Sequence, residues 1–365
     1  MKLARRDWLK LSAVAGASLL PGVPQTASAS GQAPEANSAE PQQRWGNGVD
    51  PGQTLPPEAA NGPWRNLRAV KEKKVFDAHC HSWGPLPGQH KANDNTNALI
   101  AEMDHYGIAQ AVLAPSRVVY ETIAQNDVAP HLDRFIRATG MPTNATLGKE
   151  LTPDILAEQT NMQLERDGCK IVGELSGDGL MGLQARYSPK ELKPVIDVVR
   201  KYDVPVQIHT GWAPGAPHPK PDQDPREYVE MAARVMRSWP DYVGALLAEY
   251  PDVKFILAHI GGALAIPDGH EALRLLFWYD NTYVDTSTSP VEIISEAVRG
   301  VGAERVMFGS DWHQPGLEDS GPFHMRAIYT HWWNLNNVAN ADLTEDQREW
   351  VLHKSARKLL KLPAA

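Results

Sequence analysis

Cysteine is nearly missing from this chain: Cys80 and Cys169 are the only two in 365 residues. That is too few for a disulfide framework or a cysteine-rich metal site. Their placement in the first and fourth apolar runs also argues against a bond between them. An excess of positive charge is lacking as well. Lys and Arg number 36 against 44 Asp and Glu, for a net charge of −8. Clustered cations able to neutralise a phosphate backbone are therefore absent, and no nucleic-acid partner is expected. No apolar run reaches the roughly 20 residues of a membrane span, so no stable span is expected in the mature chain. No Gly-x-Gly-x-x-Gly turn follows the first apolar run, which removes support for a dinucleotide-binding sheet. What remains, 42% hydrophobic residues with 28 Gly and 29 Pro, suits a folded, loop-rich enzyme. The length fits two domains of about 150 residues or a single α/β barrel.

The first residues read as an address. Lys2, Arg5, Arg6 and Lys10 form a basic start, Leu11 to Leu20 a short apolar run, and Ala27-Ser28-Ala29 a small-residue cleavage site, the order of a cleaved export signal. Arg5-Arg6-Asp7-Trp8-Leu9-Lys10 resembles the twin-arginine signal, with Trp8 where that signal usually has Phe. The resemblance implies recognition by the twin-arginine export machinery, a periplasmic location, and a cargo that folds before export, often around a cofactor. Residues 1–29 are thus expected to be the signal. Residues 30–70, rich in Pro, Gly, Gln, Asn and Ala, cannot bury enough surface to offset their ordering entropy. They are expected to form a linker or surface arm, with Trp45 and Trp64 as anchors.

From residue 71 to 365 short apolar runs alternate with longer amphipathic segments, the pattern of repeated βα units. Eight strands are predicted: Val75–His81, Ala111–Ser116, Phe135–Pro142, Cys169–Leu175, Pro205–Thr210, Lys254–Gly261, Thr282–Ser287 and Val306–Trp312. Between them, Ser188-Pro189-Lys190-Glu191 is a capping box ahead of Leu192, Val195, Ile196 and Val199 at helical spacing. Asp224-Pro225 opens a second helix, and Thr344-Glu345-Asp346-Gln347 caps a C-terminal one. The expected fold is a (β/α)8 TIM barrel, whose sites lie at the C-terminal ends of the strands.

Residues able to ligate a cation sit at those ends. His79 and His81 in Phe76-Asp77-Ala78-His79-Cys80-His81 share one face of a strand, while Cys80 points the other way. Two neutral imidazoles side by side suit a borderline divalent cation such as zinc. Glu174, His209, His259 and Asp311 close the fourth, fifth, sixth and eighth runs. Any one alone would be an ordinary polar strand end, but in a closed barrel all of them converge on one mouth.

With those residues in view, residues 74–362 resemble the amidohydrolase superfamily, within it the amidohydrolase-related group that includes the aminocarboxymuconate semialdehyde decarboxylases. The resemblance rests on Phe-Asp-Ala-His-Cys-His (76–81), Ile-His-Thr-Gly (208–211), Phe-Ile-Leu-Ala-His-Ile-Gly-Gly (255–262), Tyr-Val-Asp-Thr-Ser (283–287) and Met-Phe-Gly-Ser-Asp-Trp (307–312). It implies a divalent metal, usually zinc, on His79, His81, His209 and Asp311, with Asp311 also taking the proton of the attacking water. It implies that His259 is either a second-metal ligand or the acid/base beside that water. Glu174 either bridges two metals, with His209 and His259 on the second, or orients a ligand imidazole from behind. A single zinc is the favoured expectation, because the motifs match the mononuclear group better.

Loops after the strands place Trp83, Arg117, Trp212 and His313 where they could line a pocket for a small-molecule substrate, with Arg117 gripping a carboxylate. The leading expectation is a hydrolase that cleaves a C–N or C–O bond, as in an amide or lactone, with hydroxide generated on the metal. The runner-up is a non-oxidative decarboxylase using the same ligands. A barrel that keeps its metal only for binding is the third. The chain leaves open whether it forms a homo-oligomer.

Overall fold

A computed structural model of the chain describes residues 61–83, 92–116, 129–140, 150–175, 183–184, 186–210, 225–261, 266–312 and 331–364. The expected signal and most of the expected arm lie outside them, as do Arg117, Trp212 and His313. No helix among the described residues is long and apolar enough to cross a membrane.

Each apolar run does form a strand, in most cases shorter than the run: β1 (Val75–Trp83), β2 (Ile108–Ser116), β3 (Phe135–Arg137), β4 (Val172–Leu175), β5 (Val206–Ile208), β6 (Phe255–Leu257), β7 (Thr282–Asp285) and β8 (Val306–Met307). All pair in parallel with their sequence neighbours, as sheets β1-β2-β3 and β4-β5-β6-β7-β8. Two isolated parallel bridges, Ala138↔Ile171 and Cys80↔Trp312, join these sheets at both ends. The ring is thereby closed, and the fold is the TIM barrel of the sequence reading.

Alternation along the strands sorts their apolar side chains into two groups. Phe76, Ala78, Val112, Ala114, Ile171, Ile256 and Met307 pack together, drawn from strands all round the ring, and so fill its interior. Their neighbours Val75, Cys80, Leu113, Val172, Val206, Phe255, Leu257 and Val306 belong to the larger cluster formed with the surrounding helices. The pairing of β1 with β2 is irregular between Asp77 and Cys80. That irregularity turns His79 and His81 inward beyond Ala78 while Cys80 stays on the outer side.

The helices start where the caps place them. The backbone N–H of Ser188 donates to Glu191 Oε2 at 2.8 Å, leading through Pro189–Leu192 into the helix Lys193–Tyr202, which buries Val195, Ile196 and Val199. Helix Pro225–Glu249 follows Asp224, and Thr344 Oγ1 accepts from Gln347 N at 3.3 Å to open Glu345–Glu349. Within the stretch expected to be an arm, Trp64 is buried, its ring 4.8 Å from that of Tyr106, and its backbone N–H donates to Asn336 Oδ1 at 3.2 Å. Both cysteines are free thiols.

Candidate metal centre

His79, His81, Glu174, His209, His259 and Asp311 meet at one mouth of the barrel. Each comes from the end of a different strand except the two of β1, as parallel strands around a ring require. His79 Nε2 and His81 Nε2 stand 3.0 Å apart. Asp311 Oδ1 lies 3.2 Å from His81 Nε2 and 3.6 Å from His79 Nε2. Glu174 divides its oxygens. Oε2 faces His81 Nε2 at 3.4 Å and His79 Nε2 at 3.6 Å, and Oε1 faces His209 Nδ1 at 2.8 Å and His259 Nε2 at 3.1 Å. The two rings on that second side are 3.2 Å apart, Nε2 to Nδ1.

Three of these positions depend on unusual backbone. Asp311 and His259 both have left-handed φ, 51° and 67°, which costs a non-glycine residue about 1–2 kcal/mol. Hydrogen bonds hold them there: Asp311 N donates to His79 O at 2.8 Å, and His259 N to Asp285 Oδ1 at 3.2 Å. The turn at His259 ends β6 at Leu257, two residues before the histidine. Gly173, with φ 121°, precedes Glu174, and a Cβ there would sit 2.4 Å from the Gln207 carbonyl oxygen.

Protons on the far side of each ring decide what the near side offers. His79 Nδ1 lies 3.2 Å from Asp285 Oδ2, and His81 Nδ1 lies 3.3 Å from the Ala114 carbonyl. Both partners can only accept, so each Nδ1 carries the hydrogen. Ser287 Oγ donates its single hydrogen to Asp285 Oδ1 and therefore accepts from His259 Nδ1, 3.0 Å away. In their neutral forms His79, His81 and His259 thus all aim an Nε2 lone pair at the carboxylate oxygens of Glu174 and Asp311. Acceptors facing acceptors at 3.0–3.6 Å are held together only by cations or protons. This donor set fits a divalent metal, and oriented imidazoles of this kind are what carboxylates behind them produce. His209 Nε2 is a buried nitrogen with no hydrogen-bond partner among the described residues.

The electrostatics agree. Burial opposes charge on His79, but Asp285 and Glu174 outweigh it and raise its pKa well above the usual value. His81 is raised to about 9, burial being overcome by hydrogen bonds to Asp311 and Glu174. His259 is raised against burial by Asp311 and Glu174, and Glu174 is held well below the carboxylate range against burial by His209 and His79. These shifts favour protonated rings at His79, His81 and His259 when no cation is bound.

Of the expected pocket residues, only the backbone of Trp83 is described, at the end of β1. Asp285 and Ser287 were not assigned a role from the sequence, although both stand in the quoted Tyr-Val-Asp-Thr-Ser stretch. Asp285 also accepts from Gln207 Nε2 at 3.0 Å and Ser287 N at 3.1 Å. Its signal was available: Asp285 ends an apolar strand just as Glu174 does.

A family model described as Amidohydrolase matches residues 76–362. No curated protein matches the chain. Among solved structures, 2,6-dihydroxybenzoate decarboxylase from Rhizobium aligns with a TM-score of 0.53 at 18% identity, over 79% of this chain and 98% of its own. The manganese complex of 5-carboxyvanillate decarboxylase from Novosphingobium aromaticivorans gives 0.51 at 16% identity, over 81% and 99%. The 4-oxalomesaconate hydratase from Rhodopseudomonas palustris gives 0.54 at 16%, over 79% and 95%. At such identities these likenesses speak to the fold.

Proposed function

The chain belongs to the amidohydrolase family and is an enzyme of that superfamily, and on this premise we propose that it is a hydrolase of small-molecule C–N or C–O bonds that works with two divalent cations, which His79, His81, Glu174, His209, His259 and Asp311 would hold. The observation that carries the proposal is the division of the Glu174 oxygens between the pair His79 and His81 and the pair His209 and His259. This departs from the single zinc favoured by the sequence motifs, while zinc remains the proposed metal. His79, His81 and Asp311 would hold one ion, His209 and His259 the other. Cations so held would acidify water and polarise a carbonyl. Asp311, whose Oδ2 is 3.7 Å from His259 Nδ1, is placed to take the proton of the attacking water and return it to the leaving group. On this reading His259 serves as a ligand, and its Nδ1 hydrogen is spoken for by Ser287. The Arg5-Arg6 signal supports export and action in the periplasm.

A second reading, a carboxy-lyase built on the same donors, is favoured by the two decarboxylases among the fold neighbours. Metal analysis together with a substrate panel separates the two. Two ions per chain, one in Glu174→Gln, with turnover of amides or lactones, is expected of the hydrolase. One ion per chain, unchanged in Glu174→Gln, with carbon dioxide released from hydroxybenzoates, would overturn it.

A further inference from the structure

One buried charged cluster stands outside the donor set and takes no part in the reading above. It is centred on His331, a fully buried residue at the start of the helix His331–Asn340. Its Nε2 lies 3.1 Å from Asp77 Oδ2 and its Nδ1 lies 2.8 Å from Glu102 Oε1. Asp77 receives hydrogen bonds from His79 N, Ser310 N, Cys80 Sγ and Ser310 Oγ besides, so it acts purely as an acceptor. Glu102 accepts from Trp312 Nε1 at 2.8 Å through its other oxygen. With an acceptor on either side, both ring nitrogens donate, and His331 is an imidazolium clamped between two anions. Its pKa, raised by Glu102 and Asp77 against burial to about 9, accords with that geometry.

The location gives the cluster its consequence. β1 and β8 share no regular ladder; between them stand the Cys80↔Trp312 bridge and a few backbone bonds, Ala78 N to Phe308 O at 2.8 Å and His81 N to Trp312 O at 2.9 Å among them. His79 and His81 lie on one side of this seam and Asp311 on the other. Asp77 Oδ1 spans the seam, accepting His79 N and Ser310 N at 3.0 Å each. Glu102, from the helix Ala92–His105, grips the β8 side through Trp312. Among the described residues His331 is the one group that hydrogen-bonds to both of these carboxylates.

We infer that His331 is a positioning residue for the metal centre: seated between Asp77 and Glu102, it fixes the register of the β1–β8 seam and thereby the spacing of His79, His81 and Asp311. The inference rests on the cation site proposed above, though not on the number of ions or the reaction. A purely structural histidine is at hand for contrast. His353 is also buried and paired, its Nε2 3.2 Å from Glu349 Oε2, and among the described residues it makes no hydrogen bond to any of the donors.

The test titrates the full-length, metal-stripped protein with Co(II), reading the dissociation constant and the d–d spectrum alongside thermal unfolding. His331→Leu and Glu102→Gln should each weaken binding, by about 10–100-fold as for other groups that orient ligands from behind, and should shift the d–d bands. His353→Leu should lower the melting temperature and leave both readings as in the wild type. Folded His331→Leu and Glu102→Gln proteins with the wild-type constant and spectrum would overturn the inference. So would equal weakening in His353→Leu, which would reduce the effect to general stability. If His331→Leu does not fold, the milder Glu102→Gln decides. A wild type that takes up no Co(II) refutes the cation site and the inference with it, whereas a binding wild type with unaffected variants refutes the inference alone.

Discussion

Metal uptake by this protein should expel protons in a countable number. Without a cation, a hydrogen is held between His79 Nε2 and His81 Nε2, 3.0 Å apart, because both pKa values are raised, that of His81 to about 9. A cation on the two Nε2 atoms must displace that hydrogen, and one reaching His259 Nε2 displaces another. The first equivalent should therefore release at least one proton at about pH 7. The sign follows: a raised pKa favours the metal-free, protonated form as pH falls, so apparent affinity drops on acidification. For each proton exchanged the drop is about tenfold, or about 1.4 kcal/mol, per pH unit below the pKa of His81. It should flatten above that pKa. Calorimetric titration in buffers of different ionisation enthalpy counts the protons directly. Release of fewer than one proton by the first equivalent would refute the assignment of lone pairs and hydrogens around the site.

Two further substitutions test neighbouring claims. Asp311→Asn should retain most of the bound metal while turnover of any identified substrate falls by about 10²–10⁴-fold; full activity in the variant would remove the proton-transfer role from Asp311. Gly173→Ala should destabilise the metal-free protein by about 2–4 kcal/mol, combining dihedral strain with the overlap against the Gln207 carbonyl, and an unchanged urea midpoint would show that β4 yields more easily than its geometry implies.

The ring of strands was legible because parallel strands buried on both faces announce themselves as apolar runs, and a lone Glu174 or His209 at the end of such a run stands out. The strand limits were less so. Lys254–Gly261 reads as continuous β, yet the left-handed turn at His259 ends the strand early, since the backbone N–H there donates a hydrogen bond to Asp285, distant in sequence. The division of labour among donors was hidden for a related reason. Which ring nitrogen of His79 or His259 faces inward depends on Asp285 and Ser287, more than twenty residues away from either ring. His331 carries no signal in the sequence, because a histidine on a helix resembles any surface histidine until Asp77 and Glu102 are seen against it.

The seam between β1 and β8 also imposes an order in time. Asp311 is the last of the donors to leave the ribosome, 230 residues after His81, a delay of roughly 10–50 s at ordinary rates of translation. Throughout that interval the early histidines lack the carboxylate that completes their side of the ring. Cation capture in its finished geometry thus waits for the eighth strand, and a nascent chain stalled short of residue 311 presents the other donors without the one that closes the seam.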